Sequence, residues 1–125
     1  MRIKRTLNTG LILLGLFCLN SCDTNDTKKE EMTLTPGDTV KQIVLRTEGK
    51  NIDGLNLLIK GEISGTGQLS IGDNDSVAYK TYDVKDGRTE IKYNGDWYSE
   101  FCYVTYRPTS GTKGKLKIEG DFIGD

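Results

Sequence analysis

Polar and apolar residues alternate one by one along most of the chain beyond residue 40. In residues 114–122, for example, Leu116, Ile118 and Phe122 share one parity, and charged residues stand between them. Successive side chains of a β-strand point to opposite faces, so this alternation predicts strands with one buried face and one solvated face. No apolar stripe with the helical period of 3.6 residues is long enough to predict a helix in this part of the chain.

Turn-forming residues divide this region into short segments. Clusters of Gly, Asn and Asp recur about every eight to twelve residues, which is the spacing typical of a sandwich or barrel. The predicted strands are residues 41–47, 55–64, 68–71, 77–84, 89–93, 100–107 and 114–122, with a short one at 33–35. Asp86-Gly87, between two alternating runs, is the strongest hairpin signal. Residues 101–106 are apolar or aromatic at both parities, which predicts a central strand.

These patterns predict an all-β fold. We expect a single antiparallel β-sandwich of about seven to eight short strands, formed by residues 33–125. Inner-face positions are predicted from parity at Ile43, Leu45, Leu57, Ile59, Ile63, Leu69, Ile71, Cys102, Val104, Tyr106, Leu116, Ile118 and Phe122.

The first residues follow a different pattern. Three positive charges, at Arg2, Lys4 and Arg5, precede an apolar run of residues 10–19. Such a run is about half of the 20 residues that a transmembrane helix needs, so a permanent membrane span is the weaker interpretation. Residues 1–21 have the outline of a signal peptide that is removed during export.

The end of this segment, Leu19-Asn20-Ser21-Cys22, resembles the lipobox of bacterial lipoproteins. The resemblance implies that the Cys22 thiol receives a diacylglycerol, that residues 1–21 are removed, and that the new amino group is acylated, for example with palmitate. Two or three acyl chains hold a protein on a membrane almost permanently, whereas one chain binds only marginally. The implied location is the envelope of a Gram-negative bacterium, at the outer membrane. An ordinary secretory signal with an incidental cysteine is the alternative.

Residues 23–31 contain no apolar side chain. A segment of this kind buries too little surface to offset the entropy that ordering its backbone costs. We therefore expect residues 22–32 to comprise the acylated Cys22 and a flexible tether, which precedes the sandwich.

Charge and cysteine content exclude several function classes. The chain has no histidine, which excludes catalytic triads, histidine-based zinc sites and histidine pH switches. Removal of residues 1–21 takes away three of 17 positive charges and leaves 14 against 18 negative ones, a net charge of −4. An acidic domain gains nothing from counterion release, so no nucleic-acid partner is expected. Cys102 remains the single free thiol, and its apolar surroundings predict a buried side chain.

The segment Asn94-Gly95-Asp96-Trp97-Tyr98 contains the candidate binding residues. Eight of the ten aromatic residues lie between Tyr79 and Tyr106, and two of these eight, Trp97 and Tyr98, follow the predicted turn at residues 94–96. Exposed Trp97 and Tyr98 rings, with Asp96 and Asn94 beside them, can stack on a sugar and bind its hydroxyls, or anchor a protein partner. The alternative is that Trp97 caps the core and that the tyrosines line the sheet edges.

The acidic residues offer little chemistry. Asp96 and Glu100 form a carboxylate pair that can in principle hydrolyse glycosides, but a small sandwich offers a shallow face instead of a deep cleft. Asp73-Asn74-Asp75 lacks the later positions of a calcium loop and predicts an acidic turn. We therefore expect no metal, no cofactor and no enzyme activity.

The function expected from the sequence is that of a membrane-anchored, non-enzymatic binding or interaction module of the cell envelope. Its membrane contact is the covalent lipid, and its partner is a glycan or a protein. A small hydrolase acting on envelope glycans and a purely structural envelope protein are the alternatives.

Overall fold

A computed structural model describes residues 26–49 and 51–125. This part contains eight strands: β1 Asp26–Leu34, β2 Lys41–Arg46, β3 Ile52–Ser64, β4 Gly67–Gly72, β5 Lys80–Val84, β6 Gly87–Asp96, β7 Phe101–Pro108 and β8 Lys113–Gly124. The predicted signal peptide and Cys22 lie outside the described residues. Within the described ranges, no helix is long and apolar enough to cross a membrane.

The strands form two antiparallel sheets of four strands each. The first sheet has the order β1-β8-β3-β6, and the second has the order β2-β7-β4-β5. The predicted all-β sandwich is therefore confirmed, and β7 is an interior strand as its apolar pattern predicts. Every connection except that between β4 and β5 crosses from one sheet to the other. This arrangement of eight strands is that of a jelly roll.

The connection at Asp86-Gly87 differs from the predicted hairpin. It joins β5 to β6, and these strands belong to different sheets. Gly87 has a φ of 111°, so the glycine does allow the chain to turn. The turn residues fix the local change of direction, but the burial of each strand's apolar face decides its pairing partner, and β6 pairs with β3.

The core lies between the two sheets and contains the side chains of the predicted parity. Ile59 of β3, for example, has Ile91 of β6 and Ile118 of β8 as its cross-strand neighbours. Of the predicted inner-face residues, Ile43 is partly buried and the rest are buried. A fully buried aliphatic side chain contributes about 1.5–3 kcal/mol relative to an exposed one, so this shared core holds the sheets together.

The structure corrects the predicted tether. Residues 26–32, which belong to the expected flexible segment, form most of β1. The whole strand pairs with β8, from Asp26 opposite Phe122 to Leu34 opposite Gly114. Burial of side chains is not the only way in which a segment of chain becomes ordered. An edge strand can instead satisfy its backbone through the ladder of its neighbour, and Met32 and Leu34, each 2% exposed, fix its inner face.

The loops lie at two ends of the sandwich. We call the end that holds the start of β1 the entry end; it also holds the end of β8 and the β2–β3, β4–β5 and β6–β7 connections. Backbone hydrogen bonds join these segments: Thr47 N donates to Glu100 O (2.9 Å) and Trp97 N donates to Asp53 O (3.4 Å). The remaining connections form the far end, where Thr109 N donates to Thr66 O.

Candidate functional site

Three aromatic rings form a cluster at the entry end. Tyr93 belongs to β6, Trp97 follows that strand directly, and Tyr79 comes from the loop before β5. The ring centroids of the three pairs are 5.8–5.9 Å apart, with edge-to-face geometry. Aromatic pairs of this geometry add about 0.5–1.5 kcal/mol beyond the area they bury. The cluster therefore fixes the β4–β5 loop against the β6–β7 loop.

Hydrogen bonds hold two of these rings in place. Tyr93 Oη donates to the carbonyl oxygen of Asp96 (2.8 Å), and Trp97 Nε1 donates to that of Phe101 (2.9 Å). Burial, and secondly the neighbouring Tyr79 hydroxyl, raise the pKa of Tyr93 to about 12. Trp97 is 4% exposed and belongs to the hydrophobic core. It offers a ligand no open ring face of the kind that stacking requires.

A groove runs beside this cluster. It has a volume of about 430 Å³ and is lined by Asp73, Val77, Ala78, Tyr79, Asp96, Trp97 and Tyr98. We call it the aromatic groove. Its rim carries Tyr98, Val77 and Tyr79, which are 76%, 66% and 64% exposed and are three of the five large apolar side chains exposed in the described residues. Open aromatic faces therefore lie beside the carboxylates of Asp73 and Asp96.

The predicted site residues have separate positions. Asp96, Trp97 and Tyr98 all line the aromatic groove. Asn94 lies on the outer face of the first sheet, where it pairs with Asn56 of β3 and lines a different depression. Alternation along β6 explains this difference, since Asn94 and Tyr93 point to opposite faces of the strand.

Sequence reasoning missed Asp73, Val77 and Tyr79. The predicted strand at residues 77–84 placed the last two in regular structure, whereas β5 begins at Lys80 and leaves them in an exposed loop. Their nearness to Trp97 results from the pairing of β4 with β5 and from the packing of the two sheets. An aromatic residue two positions after an acidic turn is the one local signal that this loop gives.

The acidic residues of the entry end have different surroundings. Asp96 lines the groove, but Glu100 does not. Asn74 Oδ1 accepts hydrogen bonds from Ser76 N (2.9 Å) and Val77 N (2.8 Å), which makes residues 73–77 an acidic turn, as predicted. Among the described residues, no group of three or more His, Cys, Asp or Glu side chains is placed to hold a metal ion.

Comparisons with known proteins identify the fold alone. No family model and no curated protein matches the chain. A subunit of the Bacillus endospore appendages, which form disulfide-linked pili, is similar with a TM-score of 0.50 and 12% identity, over 87% of this chain and 100% of that one. The coat protein of Tobacco streak virus is similar with a TM-score of 0.47 and 10% identity, over 86% of this chain and 91% of that one.

Proposed function

We propose that the protein is a lipid-anchored, non-enzymatic module of the bacterial cell envelope that binds a glycan in the aromatic groove. The observation that supports this proposal is the combination of two exposed rings, Tyr79 and Tyr98, with two carboxylates, Asp73 and Asp96. The apolar C–H face of a sugar stacks on an aromatic ring, and carboxylates accept strong hydrogen bonds from sugar hydroxyls.

The size of the site favours a glycan over a protein partner. A stable protein interface buries about 800 Å² on each partner. The apolar rim of the groove consists of three side chains, and the other exposed large apolar residues, Val40 and Val44, do not line it. Val44 lies on β2 and Val40 in the far-end loop before that strand. A groove with so small an apolar surface suits a few sugar units.

The anchor and the groove belong together in this proposal. Acylation is proposed at Cys22, and β1 begins four residues later at Asp26, at the entry end. Four Cα–Cα steps span at most about 14 Å even when fully extended. The aromatic groove lies at the same end, so an acylated chain holds it close to the membrane surface. The proposed ligand is therefore a glycan of that surface, at the outer membrane of a Gram-negative bacterium.

Glycan binding is tested with the mature chain carrying Cys22→Ser, which removes the acylation site and leaves the sandwich unchanged. On a glycan array, Tyr98→Ala is expected to weaken binding about tenfold or more, as loss of an exposed aromatic anchor does. Val40→Ala, which removes an exposed apolar side chain at the far end, is the matched control and should bind normally. Equal binding by the Tyr98 variant, or capture of proteins and no glycan, contradicts the proposal.

Anchoring is tested separately by incorporation of labelled palmitate into cells that express the full chain. The unaltered protein is expected to carry label, and Cys22→Ser is expected to carry none. Proteolysis of intact cells then reports which side of the membrane holds the domain. Label that persists in the Cys22→Ser protein, or a mature chain that begins at another residue, removes the anchor from the proposal.

A further inference from the structure

A second, smaller pocket lies on the outer face of the second sheet. Its volume is about 120 Å³. Ser70 of β4 forms part of the floor, and Tyr103, Thr105 and Arg107 of β7 form one wall, while residues 74–78 of the β4–β5 loop form the other wall. We call it the sheet pocket. A space of this size holds several water molecules or one six-membered ring, since one water needs only about 10–15 Å³ of such volume.

Ser70 is the observation that marks the sheet pocket as a binding site. The residue is 7% exposed, and its hydroxyl has no hydrogen-bond partner among residues 26–49 and 51–125. The Ser70 oxygen itself keeps contact with solvent, because Tyr82 Oη is the one fully buried side-chain oxygen without a partner in the described residues. A ligand in the sheet pocket can therefore reach this hydroxyl and supply the partner that it lacks. Thr105 beside it is 6% exposed, and its oxygen accepts a hydrogen bond from Gln42 Nε2 (2.9 Å), which leaves its own hydrogen available to donate.

The charges that line the sheet pocket cancel. Arg107 forms no ion pair within the described part of the chain, so its guanidinium is available to donate. Asp75 on the opposite wall accepts a hydrogen bond from Ser76 Oγ (3.0 Å) and retains further acceptor capacity. Arg107 donates hydrogen bonds and Asp75 accepts them. The two groups therefore suit an uncharged ligand whose hydroxyl groups both accept and donate.

The outer face of the second sheet is also polar and uncharged next to the sheet pocket. The cross-strand row through Ser70 consists of uncharged polar residues, in the order Gln42, Thr105, Ser70 and Thr81. A corresponding row on the outer face of the first sheet is fully charged, in the order Glu31, Lys117, Lys60 and Glu90. The hydroxyl and amide groups of the second sheet, beside the Tyr103 ring, suit a sugar. The charged side chains of the first sheet instead keep its outer face in contact with water.

We propose that the sheet pocket is a second subsite of the glycan site and that it holds one uncharged pyranose unit. Ser70 and Thr105 bind its hydroxyls, Arg107 donates to its oxygens, and the Tyr103 ring packs on its apolar side. Val77 and Ala78 line both the sheet pocket and the aromatic groove, so a glycan that crosses the β4–β5 loop fills both. This inference rests on the proposed glycan binding and extends it from the groove to a longer ligand.

The test compares ligand lengths by calorimetry on the mature Cys22→Ser chain. The probes are the disaccharide and the hexasaccharide of β-1,4-linked N-acetylglucosamine, of β-1,4-linked glucose and of α-1,6-linked mannose, together with a hexamer of galacturonic acid. At least one uncharged hexasaccharide is expected to bind about tenfold more tightly than its disaccharide. Ser70→Ala and Arg107→Gln should each remove most of this gain, so that the hexasaccharide binds little more tightly than its disaccharide.

Thr81→Ala is the matched control, because Thr81 is the other cross-strand neighbour of Ser70 and does not line the sheet pocket. This variant should keep the full gain in affinity from the disaccharide to the hexasaccharide. An unchanged gain in both the Ser70 and the Arg107 variants overturns the second subsite, and so does tighter binding of the galacturonic acid hexamer than of every uncharged probe. Failure of all probes to bind, or normal disaccharide affinity in Tyr98→Ala, contradicts the proposed function itself.

Discussion

The tyrosines of this chain have very different surroundings, although the sequence presents them in similar alternating runs. Tyr106 is fully buried and Tyr98 is 76% exposed, whereas Tyr93 is buried and its hydroxyl donates a hydrogen bond to the carbonyl oxygen of Asp96. Strand parity predicts the burial of Tyr106 correctly. It cannot predict Tyr98 or Tyr79, because their exposure depends on where the strands end and which loop lies over them.

Tyr82 gives a prediction at this scale. Within the described residues, its hydroxyl is the one buried side-chain oxygen or nitrogen without a hydrogen-bond partner. Because leaving a buried hydroxyl unpaired costs about 1–3 kcal/mol, Tyr82→Phe is expected to keep or raise the free energy of unfolding, by up to about 1 kcal/mol. Urea denaturation measures the change. A loss of more than about 1 kcal/mol contradicts this account, since such losses arise when a paired hydroxyl is removed.

Cys102 gives a second prediction. Burial raises the pKa of its thiol from 9.0 to about 12, so the folded state favours the neutral thiol more than the unfolded state does. This contribution to stability is fully present below pH 9 and is lost as the pH rises towards 12. The free energy of unfolding should fall by about 1.4 kcal/mol for each pH unit in this window from this group alone. In Cys102→Ala the free energy of unfolding should fall less steeply with pH. An identical slope in both proteins contradicts the raised pKa of the Cys102 thiol.

At the scale of elements, the alternating pattern predicted seven of the strands, with boundaries shifted by a few residues. The short strand predicted at residues 33–35 overlaps the end of β1, but the pattern could not predict the earlier part of that strand. Residues 26–31 are polar, carry no periodic apolar signal and form a strand only through the backbone of β8. It also could not predict that β5 and β6 separate into two sheets. Pairing between strands distant in sequence is decided by burial across the whole core, and local turn residues do not encode it.

Hydrogen exchange tests the role of β1. An edge strand bonds through one side only, so about half of its amides are expected to be protected. Residues 26–34 of the mature chain should show slow and fast amides in alternation. Met32→Ala should speed the slow ones and cost about 2–5 kcal/mol of overall stability, because Met32 is 2% exposed. If the whole segment exchanges at the rates of an unstructured chain in the unaltered protein, β1 is not a stable strand and residues up to 32 form a flexible tether.

At the scale of the whole molecule, the fold class follows from composition and alternation, but the two ends and two faces of the sandwich do not. The entry end brings Asp73, Tyr79 and Tyr98 together from two loops, and only the complete strand order shows that β1 begins at the same end. Asp96, Trp97 and Tyr98 were predictable because they are neighbours in sequence. The residues that complete the groove come from a loop about twenty positions earlier.

The orientation of the anchored domain is a prediction at this scale. In the acylated protein, reconstituted into lipid nanodiscs that contain a spin-labelled lipid, the amides of Tyr79 and Tyr98 are expected to lose signal intensity. The amides of Thr66 and Thr109, at the far end, should keep theirs. The opposite pattern shows that the domain turns its far end to the membrane and contradicts the short connection to β1.

The most direct test of glycan binding in the aromatic groove uses the single tryptophan of the chain, Trp97, which lines that groove. Its fluorescence is recorded while the mature Cys22→Ser chain is titrated with peptidoglycan fragments, lipopolysaccharide oligosaccharides and capsular oligosaccharides. The account predicts a saturable change in emission with at least one of these glycans, and an affinity about tenfold weaker in Tyr98→Ala. A glycan that binds by calorimetry without changing Trp97 emission, and with equal affinity in both proteins, contradicts it.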